Sequence, residues 1–157
     1  MPPPVYIETT IVSYLATTPS RDLVVAAHQQ ITAEWWATRR SAFVVYASGA
    51  VLREARGGDP DAAQRRLELL ENIPLLTTTE EAEELARYFV TTGVFPPGSD
   101  ADALHVAVAA VHGMEYLLTW NVQHIANAQI RTRIEEACRT MGYRPPALCS
   151  PEELMGG

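Results

Sequence analysis

The hydrophobic positions form short apolar runs that alternate with longer amphipathic stretches. Unbroken apolar runs are typical of parallel strands covered on both faces, and the stretches between them have helical spacing. The pattern predicts strands at 4–8, 43–48, 74–77, 115–120 and 147–150. It predicts helices at 21–38, 51–56, 60–73, 79–92, 100–112 and 124–141.

Several helix boundaries have recognisable sequence signals. Asp59 can cap the helix that follows it, and Pro60 suits the first turn. Thr78 with Glu81 has the spacing of a capping box, and Gly93 is typical of a helix end.

Alternating strands and helices predict an α/β fold. We expect a single domain, residues 1–157, with three α/β/α layers and a central, mostly parallel sheet of four to five strands. In such sheets ligands bind at the carboxyl ends of strands, where the strand order reverses.

Composition narrows the class of protein. Net charge is −7, so the whole surface does not indicate nucleic-acid binding. All twelve basic residues are arginines, so any phosphate contact would come from guanidinium groups. The N-terminus lacks the pattern of a signal peptide, and the apolar stretch 101–120 contains charged residues. We therefore expect a cytoplasmic protein without a membrane span, in which Cys138 and Cys149 are reduced thiols.

Four polar residues are expected to converge at one edge of the sheet. Glu8 and Asn121 end the first and fourth strands, Asp102 lies in the first turn of a helix, and Glu54 lies in a short helix. Oxygen ligands with several carboxylates suit Mg²⁺ or Mn²⁺, which can activate water and neutralise charge on a phosphodiester.

Each of these residues also has an ordinary structural interpretation. Glu8 could end a strand in solvent, and Glu54 could pair with Arg53 or Arg56 on a helix surface. Asp102 could form a capping box with Ser99.

The neighbouring candidates have alternatives too. Asp100 competes with Asp102 as cap and as ligand. His105 could serve the site or be a hydrogen-bonded, partly buried histidine, and His124 could contact substrate or begin a helix in solvent. For Trp35, Trp36 and Trp120 packing is the ordinary interpretation, although Trp120 could stack on a base.

The order of the motifs resembles a known family. An acidic residue after the first strand is followed by VLREA, DALHVA and LLTWN. Over residues 4 to 150 this order is similar to PIN-domain nucleases, in particular VapC-type ribonuclease toxins of toxin–antitoxin pairs.

The resemblance implies a Mg²⁺- or Mn²⁺-dependent endoribonuclease with Glu8, Glu54 and Asp102 as metal ligands. Thr9 or Thr10 matches a hydroxyl position near the metal, and the fourth acidic position falls on Asn121. Glutamate and asparagine replace the usual aspartates at the first and fourth positions. The resemblance therefore implies a shifted metal position or an adjusted loop, a weakened second ion, and an activity that is reduced, re-tuned or lost.

The resemblance also implies an RNA substrate, a small antitoxin partner and a homodimer. Two other functions remain open. One is a catalytically weakened PIN-like module that binds a protein or RNA, and the other is a phosphoesterase or DNA nuclease on the same scaffold.

Overall fold

The computed structural model of the protein describes residues 1–121, 125 and 127–156. In this part of the chain five parallel strands form one sheet in the order β3-β2-β1-β4-β5. The strands are β1 (Pro4–Ile7), β2 (Val44–Ser48), β3 (Leu75–Leu76), β4 (Tyr116–Leu118) and β5 (Ala147–Cys149). The helices are α1 (Thr9–Ala16), α2 (Leu23–Thr38), α3 (Gly49–Ala55), α4 (Pro60–Leu70), α5 (Glu80–Thr91), α6 (Asp100–Val111) and α7 (Ala128–Thr140), with a short 3-10 helix at Arg40–Ala42.

The strand order divides the helices between the two faces of the sheet. The chain runs from β1 through β2 to β3 at one edge, and it then returns to place β4 and β5 on the other side of β1. Right-handed crossovers therefore put α1–α4 on one face and α5–α7 on the other. The helix contacts agree, since α1 packs on α2, α3 and α4 while α5 packs on α6 and α7. The predicted three-layer α/β/α fold is confirmed, and the strand order reverses between β1 and β4.

The centre of the sheet is fully buried. Val5, Tyr6 and Ile7 of β1 and Leu117 and Leu118 of β4 are all 0% exposed. Each such apolar side chain contributes about 1.5–3 kcal/mol by its burial. The two strands therefore give a rigid base to the residues that follow them.

The helix at residues 9–16 was not predicted from the hydrophobic pattern. Its sequence, TTIVSYLA, consists largely of β-branched and aromatic residues, which favour strands. The helix forms because Glu8 caps its N-terminus and because Ile11 and Val12 are buried in the core. Capping and tertiary packing here override local propensity.

Of the three side-chain caps that the sequence suggested, one is present as expected and two are not. Asp59 caps α4 by accepting a hydrogen bond from the Ala62 amide at 2.9 Å. The cap of α5 is Thr79 and not Thr78, since Thr79 accepts from the Ala82 amide at 3.2 Å. Ser99 precedes α6 but makes no side-chain capping bond among the described residues, so the capping-box interpretation of Asp102 is wrong.

Two further expectations concern membrane-spanning helices and the state of the two cysteines. None of the helices in the described ranges is long and apolar enough to cross a membrane. Cys138 and Cys149 are both buried free thiols, as predicted.

Candidate metal site at the carboxyl edge of the sheet

Glu8 lies directly after β1 and is held in place by short hydrogen bonds. Its amide donates to the carbonyl of Leu118 at 3.0 Å, which continues the pairing of β1 with β4. Its Oε1 accepts from the Thr10 amide at 3.2 Å, from the Thr10 hydroxyl at 2.5 Å and from the Thr119 hydroxyl at 2.7 Å. The residue is only 5% exposed, so the interpretation of Glu8 as a solvated strand end is wrong.

The two threonines that bind Glu8 also fix the chain after β4. The Thr10 hydroxyl accepts from the Trp120 amide at 2.9 Å, and the Thr119 hydroxyl accepts from the Asn121 amide at 2.9 Å. Each hydroxyl therefore donates to the carboxylate and accepts from the backbone. Glu8 is thus tied to both neighbouring segments at the point where the strand order reverses.

Glu54 reaches the same place from α3, which contacts α6. Its Oε1 accepts from the Thr9 hydroxyl at 2.5 Å, and it lies 2.6 Å from Nε2 of His105. Burial alone would raise the pKa of Glu54, but the hydrogen bonds from His105 and Thr9 and the nearby charges of His105 and Arg53 hold the pKa below its ordinary value. The carboxylate is therefore ionised near neutral pH.

Glu54 remains the more accessible of the two glutamates, since its side chain is 39% exposed. Its side chain hydrogen-bonds to His105 and Thr9, and within the described ranges no salt bridge joins it to Arg53 or Arg56. The surface-pair interpretation of Glu54 holds only in part, since the side chain is exposed and the charge of Arg53 acts on it.

A cluster of three potential ligand residues results from this arrangement. One ligand atom from each of Glu8, Glu54 and His105 lies within 4.8 Å of the others. Two carboxylates this close repel one another unless a positive charge lies between them. The arrangement suits a cation.

Asp102 joins this cluster through a line of hydrogen bonds. It is not one of the three residues within 4.8 Å, but its Oδ1 accepts from Nδ2 of Asn121 at 3.1 Å. The backbone amide of Asn121 in turn donates to the Thr119 hydroxyl, which donates to Glu8. The structure thus brings Glu8 and Glu54 together directly and connects Asp102 and Asn121 to them through Thr119.

The remaining candidates for the site are His105, Asp100 and His124. His105 is 1% exposed and hydrogen-bonded at both ring nitrogens, as its ordinary interpretation predicts. Asp100 is exposed and lines a groove between α5 and α6. His124 lies outside the described residues.

The tryptophans pack inside the chain. Trp35 is fully buried, and Trp36 carries the guanidinium of Arg40 at 4.3 Å from its ring centroid. Trp120 is 7% exposed, stacks on His28 at 4.0 Å between centroids and donates its indole hydrogen to Thr32. The packing interpretation is confirmed for Trp35 and Trp120.

Three hydroxyl residues of the site were missed in the sequence. Thr119 follows β4, Ser48 ends β2 and caps α3, and Tyr6 lies inside β1. All three lie in or next to the strands whose carboxyl ends were expected to form the site. A search for hydroxyl groups around the predicted carboxylates would have found them.

The comparisons with known proteins find similarity at the level of the fold. No protein-family model matches the chain, and none of the curated proteins matches it. The structure is similar to that of VapC20 from Mycobacterium tuberculosis, a toxin that cleaves the sarcin-ricin loop, with a TM-score of 0.55. The two are 21% identical, and the match covers 72% of this chain and 86% of VapC20.

A second solved structure is similar along nearly the whole length. It is VapBC2 from Rickettsia felis bound to a DNA fragment from the promoter, with a TM-score of 0.54, 14% identity and coverage of 94% of this chain and 98% of that one. This chain has the PIN-domain fold of the VapC type. At these identities the likeness establishes the fold, and the activity has to be argued from the chemistry of the site.

The VapC-type fold places the acidic residues of this chain at the reversal of strand order. Glu8 follows β1, Asn121 lies just beyond β4, and Glu54 and Asp102 come from helices on opposite faces of the sheet. This edge is where open α/β sheets bind ligands.

Proposed function

We propose that this protein is a Mg²⁺- or Mn²⁺-dependent endoribonuclease, a VapC-like toxin of a toxin–antitoxin pair. The observation that carries the proposal is the approach of Glu8 and Glu54 to within 4.8 Å at the reversal of strand order. Two carboxylates held together on a PIN-domain fold are best explained by a divalent cation that binds between them.

The hydrogen bonds to the carboxylates fit such an ion. Every bond that described residues donate to Glu8 or Glu54 ends on Oε1, so within the described ranges Oε2 of each receives none. Carboxylate oxygens with free lone pairs are the ligands that Mg²⁺ and Mn²⁺ prefer. Glu8, Glu54 and Asp102 would hold the cation.

The residues of the chain have separable tasks in the proposed reaction. A bound divalent cation supplies Lewis-acid activation of water and neutralises charge on the scissile phosphate. Thr119 and Thr10 fix Glu8, Thr9 fixes Glu54, and Asn121 orients Asp102 by donating to its carboxylate. Precise support of this kind lets ligand oxygens meet the ion without rearrangement.

The substrate and partners follow from the same proposal. We propose RNA as the substrate and a small antitoxin protein as the partner, since VapBC2 of R. felis has this type of fold. We also propose a homodimer. The exposed apolar residues Leu23, at 85% exposure, and Val24, at 63%, offer surface for a protein contact.

The decisive experiment measures cleavage by the purified chain. We expect it to cut RNA in the presence of Mn²⁺ or Mg²⁺ and to lose activity with a chelator. Asp102→Asn should abolish cleavage, whereas the matched control Asp100→Asn, on the same helix but lining the groove against α5, should keep it. A single-stranded DNA of the same sequence tests whether the substrate is RNA.

The alternative is a catalytically weakened module that binds a protein or RNA. It predicts no saturable Mn²⁺ binding and no cleavage. Cleavage that survives both the chelator and Asp102→Asn would instead reject the metal-dependent assignment.

A further inference from the structure

A continuous line of hydrogen bonds runs from the buried sheet to Glu54. The Val51 amide donates to Oγ of Ser48 at 3.5 Å, and Oγ of Ser48 lies 2.8 Å from the Tyr6 hydroxyl. The Tyr6 hydroxyl lies 2.6 Å from Nδ1 of His105, whose Nε2 lies 2.6 Å from Oε1 of Glu54. Tyr6 and Ser48 are fully buried, so this line is shielded from water until it reaches Glu54.

The chemistry of Glu54 fixes the direction of the last bond in this line. The ionised carboxylate of Glu54 can only accept, so Nε2 of His105 donates.

Both ring nitrogens of His105 are therefore engaged, Nδ1 by the Tyr6 hydroxyl and Nε2 by Glu54. On the far side of Tyr6, Oγ of Ser48 accepts from the Val51 amide and bonds to the Tyr6 hydroxyl.

These two bonds argue against His105 as a resident ligand despite its place in the cluster. Its Nε2 donates to Glu54, and its Nδ1 lies 2.6 Å from the Tyr6 hydroxyl. Binding a cation would require His105 to break one of these two short bonds. The ring is instead placed to support the carboxylate next to it.

Glu54 needs such support more than Glu8 does. Glu8 is buried and bound by two threonines, whereas Glu54 is 39% exposed and lies on a seven-residue helix. We propose that Ser48, Tyr6 and His105 form a positioning relay, which holds Oε1 of Glu54 and thereby presents its Oε2 to the divalent cation. This inference rests on the proposed metal-dependent function and assigns a role to three residues outside the acidic set.

The sharpest variant is Tyr6→Phe, which removes one hydroxyl and keeps the ring that fills the core. We expect Mn²⁺ affinity, measured by calorimetry, to fall about 10-fold to 100-fold, the usual effect of losing support behind a ligand. The matched control is Tyr46→Phe, because Tyr46 is the register partner of Tyr6 on β2 and, among the described residues, its side chain makes no hydrogen bond to Ser48, Tyr6 or His105. Its Mn²⁺ affinity should equal that of the wild type.

A second readout needs neither metal nor activity. Nitrogen-15 NMR of the His105 ring in the metal-free protein should show a hydrogen on Nε2 in the wild type, and the Nδ1 signal should shift in Tyr6→Phe, which removes the partner of Nδ1. A wild-type ring without a hydrogen on Nε2 overturns the relay.

A pair of variants at His105 covers the case in which Tyr6→Phe does not fold. The side-chain amide of His105→Gln can still donate to Glu54, whereas His105→Leu cannot. We expect Mn²⁺ affinity to rank wild type, then Gln, then Leu, and equal affinity of Gln and Leu would overturn the relay.

The outcomes separate this inference from the proposed function. Wild-type protein that binds Mn²⁺ no more tightly than Tyr6→Phe overturns the relay alone. Wild-type protein that fails to bind Mn²⁺ overturns the proposed function and, with it, the ligand role of Glu54.

Discussion

The Thr119 hydroxyl donates to Oε1 of Glu8 at 2.7 Å, although the two residues are 111 positions apart. The same hydroxyl accepts from the backbone amide of Asn121 at 2.9 Å. One oxygen atom therefore joins the acidic residue after β1 to the residue proposed to orient Asp102. This bond makes the site a property of the β1–β4 pairing, because sliding either strand would break it.

Replacing Thr119 by valine tests this bond with almost no change in shape. The buried carboxylate of Glu8 loses one of its donors, and the Asn121 amide loses its acceptor. We expect a loss of about 1–3 kcal/mol in the free energy of unfolding, measured by urea denaturation. The control is Thr38→Val, at an exposed site on α2, which should stay within about 0.5 kcal/mol of the wild type. Equal stability of the two variants would contradict this role of Thr119.

Glu8→Asp distinguishes the capping role of Glu8 from its role as a proposed ligand. Aspartate caps helices well, so α1 should keep its N-terminus. The shorter side chain withdraws the carboxylate from Thr119 and from Glu54. We therefore expect circular dichroism to be unchanged and Mn²⁺ affinity to fall at least about 10-fold. Unchanged Mn²⁺ affinity would show that the extra methylene of Glu8 has no function in the site.

Much of this geometry could be predicted from the sequence, and the limit has a physical cause. The places of Glu8 and Asn121 followed from strand ends, because parallel strands present their carboxyl ends at one edge. The bonds of Thr119 and Tyr6 did not, since they depend on the register of strands that are far apart in the chain. Helix α1 was missed for a related reason, because its β-branched residues favour a strand until the core buries them.

Asn121→Asp tests how this site differs from one with four carboxylates. The side-chain amide of Asn121 donates to Asp102 at 3.1 Å, and an aspartate would replace this bond with repulsion between two carboxylates. A second cation would relieve the repulsion. We expect calorimetry to show one Mn²⁺ per chain for the wild type and two for the variant. One ion in both proteins would contradict the idea that asparagine weakens a second metal position.

Because its two thiols are buried, we predict that the protein loses stability to unfolding at alkaline pH. Burial raises the pKa of Cys138 and of Cys149 from 9.0 to about 12. The folded state therefore binds more protons than the unfolded state between these values, so each thiol's contribution is complete below pH 9 and is lost as pH rises towards 12. The expected slope is about 1.4 kcal/mol per pH unit for each thiol in this window.

Urea denaturation at pH 8, 9, 10 and 11 measures this slope. The double variant Cys138→Ala and Cys149→Ala should show a flatter decline above pH 9, whatever its stability at pH 8. The same burial predicts slow alkylation of both thiols by iodoacetamide in the native protein at pH 8, and fast alkylation in urea. Rapid native alkylation, together with an alkaline decline that the double variant leaves unchanged, would show that the two thiols are not held protonated by the core.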